Sequence, residues 1–292
     1  MNIRQAQIKA RDLLAKNNIN APELDAKVLL ANVIDQDDTA LFKSSDAPLT
    51  NSQYSKYLRH IKRRARGEPV AYITHQKEFY GYNFYINNNV LIPRPETELL
   101  VEEAIKFIKS KVYKVESSLN IIDIGTGSGC IIISIIKAIS DIDKRLSVDD
   151  VRFSATDISK KAIYVAKINT RKHGVVDKIK FYRSDLFSNK KMLKKYDIII
   201  ANLPYVPKSN IKNLPDPNLA LDGGGDGTDI VKNFLDQAKT RLNNDGVILL
   251  EIGFNQAKDI REYAKKIMPK SKIQVIKDLA GLDRVIKIVF DN

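Results

Sequence analysis

"LNIIDIGTGSGCIIISIIKAIS", residues 119–140, decides the fold. The stretch up to Ile124 reads as a short buried strand, Gly125, Gly127 and Gly129 as a tight turn, and the isoleucine-rich run from Cys130 as a helix. Downstream the same alternation recurs. "VRFSATD" precedes a helix through "KKAIYVAKINTRKHG", and "IKFYRSD" and "YDIIIAN" follow. Beyond a glycine-rich loop come a helix around "IVKNFLDQAKTRLNN", the strand "GVILLEIG", another helix, and the pair "KIQVIKDLAG" and "RVIKIVF". Short apolar strands alternating with helices predict an α/β fold with a mostly parallel sheet covered on both faces. The closing pair, joined through Gly281, is expected to add an antiparallel edge. There is no internal repeat.

Upstream the periodicity changes. Ile3, Ala6, Ala10, Leu13 and Leu14 recur at helical spacing, and Pro22 starts a second helix that carries Leu24, Val28 and Leu29. Residues 1–70 therefore read as a small helical domain. Residues 71–97 hold "EFYGYNFYINNN", aromatic and β-branched residues around Gly81 and the Asn87-Asn88-Asn89 turn signal, and read as a β-hairpin connector. The α/β domain is expected over 98–292.

At 292 residues with 43% hydrophobic content the chain has ample material for a packed core. One cysteine excludes an internal disulfide, and His60, His75 and His173 with Cys130 make no metal-ligand spacing. No stretch is apolar enough to cross a bilayer and the N-terminus has no signal core, so a cytoplasmic protein is expected. The net charge of +13 is spread along the whole chain. Its densest cluster, "KYLRHIKRRARGEP", places Lys56, Arg59, Lys62, Arg63, Arg64 and Arg66 mostly towards solvent on a helix.

In such sheets ligands bind beyond the carboxyl ends of the strands. After the first strand, "GTGSG" (Gly125, Thr126, Gly127, Ser128, Gly129) lets the backbone approach a ligand at a helix N-terminus. The spacing is not that of a dinucleotide fingerprint. The second strand ends at Asp157, placed to accept from ribose hydroxyls or to cap a helix. The third ends at Asp185, near the edge of an adenine, with Leu186 and Phe187 available to pack on its face. Taken together these strand ends favour a nucleoside cofactor.

The fourth strand ends in Asn202-Leu203-Pro204-Tyr205, which has no general base for neutral pH. Pro204 pushes Leu203 towards an extended conformation that can turn its carbonyl into the cleft beside the Asn202 side-chain oxygen. Two such acceptors match a planar NH2 group, and Tyr205 can stack on the substrate or face a cation. An Asx-type turn with a packed tyrosine is the plain alternative.

"IDIGTGSG", "ATDIS", "SDLF" and "NLPY", in that order, resemble the S-adenosylmethionine-dependent methyltransferases of planar amino groups. "GEPVAYITHQKEFYGYNFYINNNVLIPRPETELL", "LALDGGGDG", "LLEIGFNQ" and "DLAGLDRV" extend the similarity to the release-factor glutamine methyltransferases of the HemK/PrmC type. The resemblance covers nearly the whole chain, and the "LIPRPETE" block is its most specific part. It implies a Rossmann-like methyltransferase domain with S-adenosylmethionine as cofactor. The cofactor would lie against Gly125, Thr126, Gly127, Ser128, Gly129, Asp157, Asp185, Leu186 and Asn202. Catalysis would fall to Asn202, Leu203, Pro204 and Tyr205.

It further implies methylation of the glutamine side-chain nitrogen in the Gly-Gly-Gln loop of peptide chain release factors. The helical domain would help to hold the release factor, the protein would act as a monomer, and neither membrane nor nucleic acid would be required. This chain has Leu203 where the family usually has proline, which keeps the carbonyl and gives up rigidity worth about 0.4–1 kcal/mol. His75 stands where the family usually has glycine. "NLPY" is also common in rRNA adenine dimethylases, so an RNA adenine-N6 methyltransferase is the alternative, its support being Leu203 and the charge. An inactive methyltransferase fold serving as a scaffold is a third reading.

Overall fold

The computed structural model describes residues 1–36, 41, 43, 45–112, 118–142, 151–192, 194–212 and 214–290. The chain divides into two compact units, Met1–Gln76 and Lys77–Asn292.

The first unit is helical: α1 (Ile3–Lys16), α2 (Pro22–Ile34), α3 (Asn51–Ala65) and α4 (Val70–Thr74). Capping boxes start two of these helices, Asn2 with Gln5 on α1 and Thr50 with Gln53 on α3. Ile3, Ala6, Ala10 and Leu14 of α1 are buried as their spacing predicts, against Leu29 and Leu30 of α2 and Tyr57 and Ile61 of α3. Of the three residues expected to carry the inward face of α2, one does so. Leu29 is buried, but Leu24 and Val28 are exposed, because Ala26 and Leu30 share the inward face with Leu29. Tyr57, fully buried, donates its hydroxyl to the Ala26 carbonyl at 2.9 Å, as a buried phenol must find an acceptor. On α3 the basic cluster does face solvent at Lys56, Arg59, Lys62 and Arg66, whereas Arg63 pairs with Glu68 and Arg64 with Asp25.

His75 caps α4 in the left-handed region, φ +58°. A side chain there costs roughly 1–2 kcal/mol relative to the right-handed region. Glycine would remove that cost but loosen the unfolded chain by about 0.4–1 kcal/mol. His75→Gly should therefore raise stability by roughly 0–1.6 kcal/mol, a small increase in the denaturant midpoint at unchanged slope.

Strands β1 (Gln76–Phe79) and β2 (Tyr82–Tyr85) form the expected hairpin. Its two turn residues, Tyr80 and Gly81, both have positive φ, as a tight two-residue hairpin turn requires. The Asn87–Asn89 signal marks a separate turn after β2, in which Val90 N–H donates to the Asn87 carbonyl.

The remaining elements are α5 (Glu98–Val112), β3 (Leu119–Ile124), α6 (Cys130–Ile142), β4 (Val151–Asp157), α7 (Lys160–Lys172), β5 (Ile179–Arg183) and β6 (Tyr196–Ala201). After these come α8 (Asp229–Ala238), β7 (Leu242–Glu251), α9 (Ala257–Ile267), β8 (Ser271–Lys277) and β9 (Asp283–Phe290). One sheet holds seven strands in the order β5-β4-β3-β6-β7-β9-β8. The first five are parallel, and β9 pairs antiparallel with both β7 and β8. The antiparallel closing pair is as expected. "RLNN" is not helical as expected: α8 stops at Ala238, and β7 begins at Leu242 beside a register shift opposite Tyr196–Ile198.

From Ile121 to Ile124 and from Ile198 to Ala201 every residue is buried, as fits strands covered on both faces. Between β3 and β6 the strand order reverses. That switch point opens a crevice at the carboxyl ends of the strands.

Candidate active site

The crevice is a cavity of about 910 Å³. Gly125, Thr126, Gly127, Ser128, Asp157, Asp185, Leu186, Asn202, Leu203 and Pro204 all line it, so residues from four strand ends meet at one site. Gly129 and Tyr205 do not.

The three glycines of the loop after β3 all have positive φ but serve different ends. A Cβ at Gly125 would meet Leu203 Cδ2 at 3.1 Å, and one at Gly129 would meet Ile133 and Ala166 at 3.1 and 3.2 Å. Those two glycines allow close packing of the protein on itself. A Cβ at Gly127 would meet only the Gly125 carbonyl at 4.0 Å and would otherwise stand in open space. Only at Gly127 does the missing side chain leave room for a ligand.

Asp157 holds this loop. Its Oδ2 accepts from Gly127 N–H at 3.0 Å and its Oδ1 from Ser159 N–H at 2.8 Å. The helix cap itself is Ser159, whose side chain accepts from Ala162 N–H. Each Asp157 oxygen keeps acceptor capacity beyond these bonds. Burial raises its pKa, while the two backbone N–H groups pull it down. Asn169, buried in α7, braces the same loop: its Nδ2 donates to the carbonyls of Ser128 and Tyr85, and its Oδ1 accepts from Tyr85 N–H. One amide thus ties the glycine loop to β2 of the hairpin.

Asp185 is exposed on the cavity wall, and Leu186 sits beside it with φ +47°, a strained position for leucine. Phe187 does not share the wall as expected. It packs at 6.1 Å on Phe234 in the core beneath.

At the end of β6, Asn202 Nδ2 donates to Thr97 Oγ1 at 3.1 Å, which leaves Oδ1 as the unused end of the amide. The Leu203 carbonyl likewise accepts no hydrogen bond among the described residues. Two adjacent free acceptors on residues of the cavity wall match the two hydrogens of a planar NH2 group. Tyr205 is turned away: its hydroxyl donates to Glu251 Oε1 at 3.2 Å. The stacking expected of Tyr205 is not what this packing provides, since its half-buried phenol is held by the Glu251 carboxylate.

The "LALDGGGDG" and "GFNQ" segments hold "NLPY" in place. Val206 and Asp222 form a parallel bridge, and Gln256 Nε2 donates to the carbonyls of Tyr205 and Gly227. A Cβ at Gly223 would lie 2.8 Å from Tyr205 Cα, and one at Gly227 would lie 2.4 Å from the Tyr205 carbonyl. These glycines are needed for close backbone approach.

The far wall comes from "VLIPRPET" and from residues 217–220. Asp216 joins the two, accepting from Ile92 N–H at 3.0 Å and pairing with Arg94. Reading strand ends for ligand contacts missed Arg94 and Thr97, which line the cavity, and Glu251, which holds the Tyr205 hydroxyl behind it. Glu251 was within reach of that same rule, as a carboxylate closing the apolar strand β7. Cys130 also borders the cavity, but burial pushes its thiol up to about 12, so it stays protonated. Among the described residues no cluster could hold a metal, and no helix is long and apolar enough to cross a membrane.

A seven-stranded sheet of this order, with a glycine loop, an acidic second strand end and an amide at the fourth, defines a methyltransferase domain. Residues 115–281 match the family described as a methyltransferase domain, and residues 5–74 match the PrmC N-terminal domain. The hMettl16 catalytic domain, solved in complex with the MAT2A 3′UTR hairpin 6, shares the fold at a TM-score of 0.53 and 17% identity. That match covers 83% of each chain. The release factor glutamine methyltransferase of Rhodopirellula baltica is 34% identical over 95% of this chain and 92% of its own length. That of Clostridium acetobutylicum is 33% identical over 99% of each. The chain belongs to the release factor glutamine methyltransferase family.

Proposed function

We propose that the protein methylates the side-chain nitrogen of the glutamine in the Gly-Gly-Gln loop of peptide chain release factors. The observation that carries this reading is the pair of unused acceptors, Asn202 Oδ1 and the Leu203 carbonyl, on the wall of one cavity with the glycine loop. The cofactor is S-adenosylmethionine, for which Gly127 leaves open space and Asp157 keeps ribose-facing lone pairs. When bound it supplies an activated methyl group.

A carboxamide nitrogen is a poor nucleophile, so the protein's task is placement. Asn202 and Leu203 each accept one substrate N–H, which fixes the nitrogen and exposes its face. The polarised N–H bonds stabilise the positive charge that develops as the nitrogen acquires the methyl group. The surplus proton leaves to water, and neither His nor Cys has to receive it. The protein is further proposed to act in the cytoplasm as a monomer, with the helical unit holding the release factor.

The test is mass spectrometry of a release factor and of rRNA after incubation with the protein and labelled S-adenosylmethionine. One methyl group is expected on the loop glutamine, and none when that glutamine is changed to glutamate. Label on rRNA adenine with an unmodified release factor would overturn the reading. Deleting residues 1–70 should weaken methylation of the intact release factor far more than that of a short Gly-Gly-Gln peptide, because only the whole protein is large enough to use a second contact area. Equal losses for both substrates would remove the helical unit from docking.

A further inference from the structure

The turn between β8 and β9, Asp278-Leu279-Ala280-Gly281-Leu282, is firmly built although it stands out in solvent. Asp278 holds it from within. Its Oδ1 accepts from the Ala280 and Leu282 N–H groups, each at 2.9 Å, and its Oδ2 accepts from Arg284 Nε at 2.9 Å. Its backbone N–H donates to the Leu282 carbonyl at 2.8 Å, and Gly281 N–H donates to the Asp278 carbonyl at 2.9 Å. Lys277 closes the base, pairing with Asp283 and donating to the Gly281 carbonyl. What this frame carries is apolar: Leu279 is completely exposed and Leu282 is 42% exposed.

The turn lies on the same edge of the sheet as the cavity. β9 runs antiparallel to both β7 and β8, with Val285 opposite Glu251, and Ile252 N–H donates to the Arg284 carbonyl. Residues 278–282 therefore project beyond the carboxyl end of β7. At about 3.4 Å per residue, Leu282 stands roughly 10 Å past the level of Glu251, the residue that holds the Tyr205 hydroxyl. Phe254, 58% exposed, lies in the segment after β7, where Gln256 accepts from Gly253 N–H and donates to the Tyr205 carbonyl. Leu219, also 58% exposed, is on the cavity wall itself. A single exposed leucine is ordinary on any surface. Here exposed apolar side chains rise from the loops after β6, β7 and β8 on one edge, and the paired charges Lys277–Asp283 and Arg284–Asp278 rim the last of them. Apolar groups with a polar rim mark a protein contact.

We propose that the Asp278–Leu282 turn is a docking surface for the release factor itself, with Leu279 entering an apolar hollow on that protein. The proposal rests on the functional reading above. A glutamine side chain is short, so the backbone that bears it has to lie at the cavity mouth, and the rest of its protein then covers the same edge of the sheet. A short peptide has no surface to reach the turn. Because the frame around Asp278 is already formed, the turn loses little freedom on docking.

The experiment measures release factor binding by calorimetry, and kcat and KM with the intact release factor and with a short Gly-Gly-Gln peptide, for full-length Leu279→Ser and Leu279→Met. Both variants should melt at the native temperature, since Leu279 buries none of its surface in the folded chain. Leu279→Ser should weaken release factor binding and raise its KM by about tenfold or more, the scale of one leucine side chain left in water. Its kcat, its S-adenosylmethionine affinity and both constants for the peptide should stay native. Leu279→Met keeps the apolar bulk and should stay within about twofold of the native protein. Native binding of the release factor by Leu279→Ser, or an equal rise in KM for the peptide, would overturn the proposal. So would a self-association of the native protein that Leu279→Ser abolishes while release factor binding is unchanged, which would give the turn to a second copy of this chain. If the native protein neither binds nor methylates the release factor, the functional reading fails and the proposal falls with it, an outcome read without any variant.

Discussion

Replacing Asn202 by alanine should lower turnover by about 10²–10³-fold, the scale seen when one preorganised polar group is taken from a reacting centre. One of the two acceptors disappears, and the substrate nitrogen is left free to rotate about its remaining hydrogen bond to the Leu203 carbonyl. S-adenosylmethionine affinity should fall far less, because Gly127, Asp157 and Asp185, which line the cavity and are proposed to hold the cofactor, are untouched. Single-turnover kinetics with calorimetric titration of the cofactor separates the two effects. Leu203→Pro should remain active, since it keeps the carbonyl. A near-native rate for Asn202→Ala would show that the amide holds nothing during the reaction.

Gly127→Val should abolish measurable S-adenosylmethionine binding in a protein that still folds. The Cβ at this position would meet no protein atom nearer than 4.0 Å, so the core does not resist the side chain. Its branches would instead fill the space in which the cofactor has to approach the backbone. The left-handed φ of +54° adds a folding cost of roughly 1–2 kcal/mol. Gly129→Ala provides the contrast. There the new methyl group presses on Ile133 and Ala166, so the melting temperature should drop while the cofactor side stays open. Calorimetry and thermal melts of the two variants distinguish a ligand cradle from a packing glycine, and unchanged affinity in folded Gly127→Val would take the loop out of the site.

Much of the site was legible because its signals are local. The α/β alternation, the glycine turn after Ile124 and the polar residues closing β4, β5 and β6 follow from short-range periodicity and from the rule that parallel strands present their carboxyl ends to a ligand. Each of those expectations needs a window of about ten residues and no knowledge of a partner element. The hairpin around Gly81 belongs to the same kind of information.

The tertiary structure alone decided where each side chain at those strand ends points. Phe187 and Tyr205 follow directly on cavity residues in the sequence, yet one packs on Phe234 and the other reaches Glu251. Gly125 and Gly129 look like ligand-facing glycines beside Gly127, but Leu203, Ile133 and Ala166 fill the space next to them. The Asn202 amide hydrogen-bonds Thr97, 105 residues earlier in the chain. Sequence periodicity determines which face of a strand or helix is apolar, and so fixes the fold. The direction of a polar side chain depends on which donor or acceptor the packed chain brings within about 3 Å, and that contact exists only once distant segments have come together.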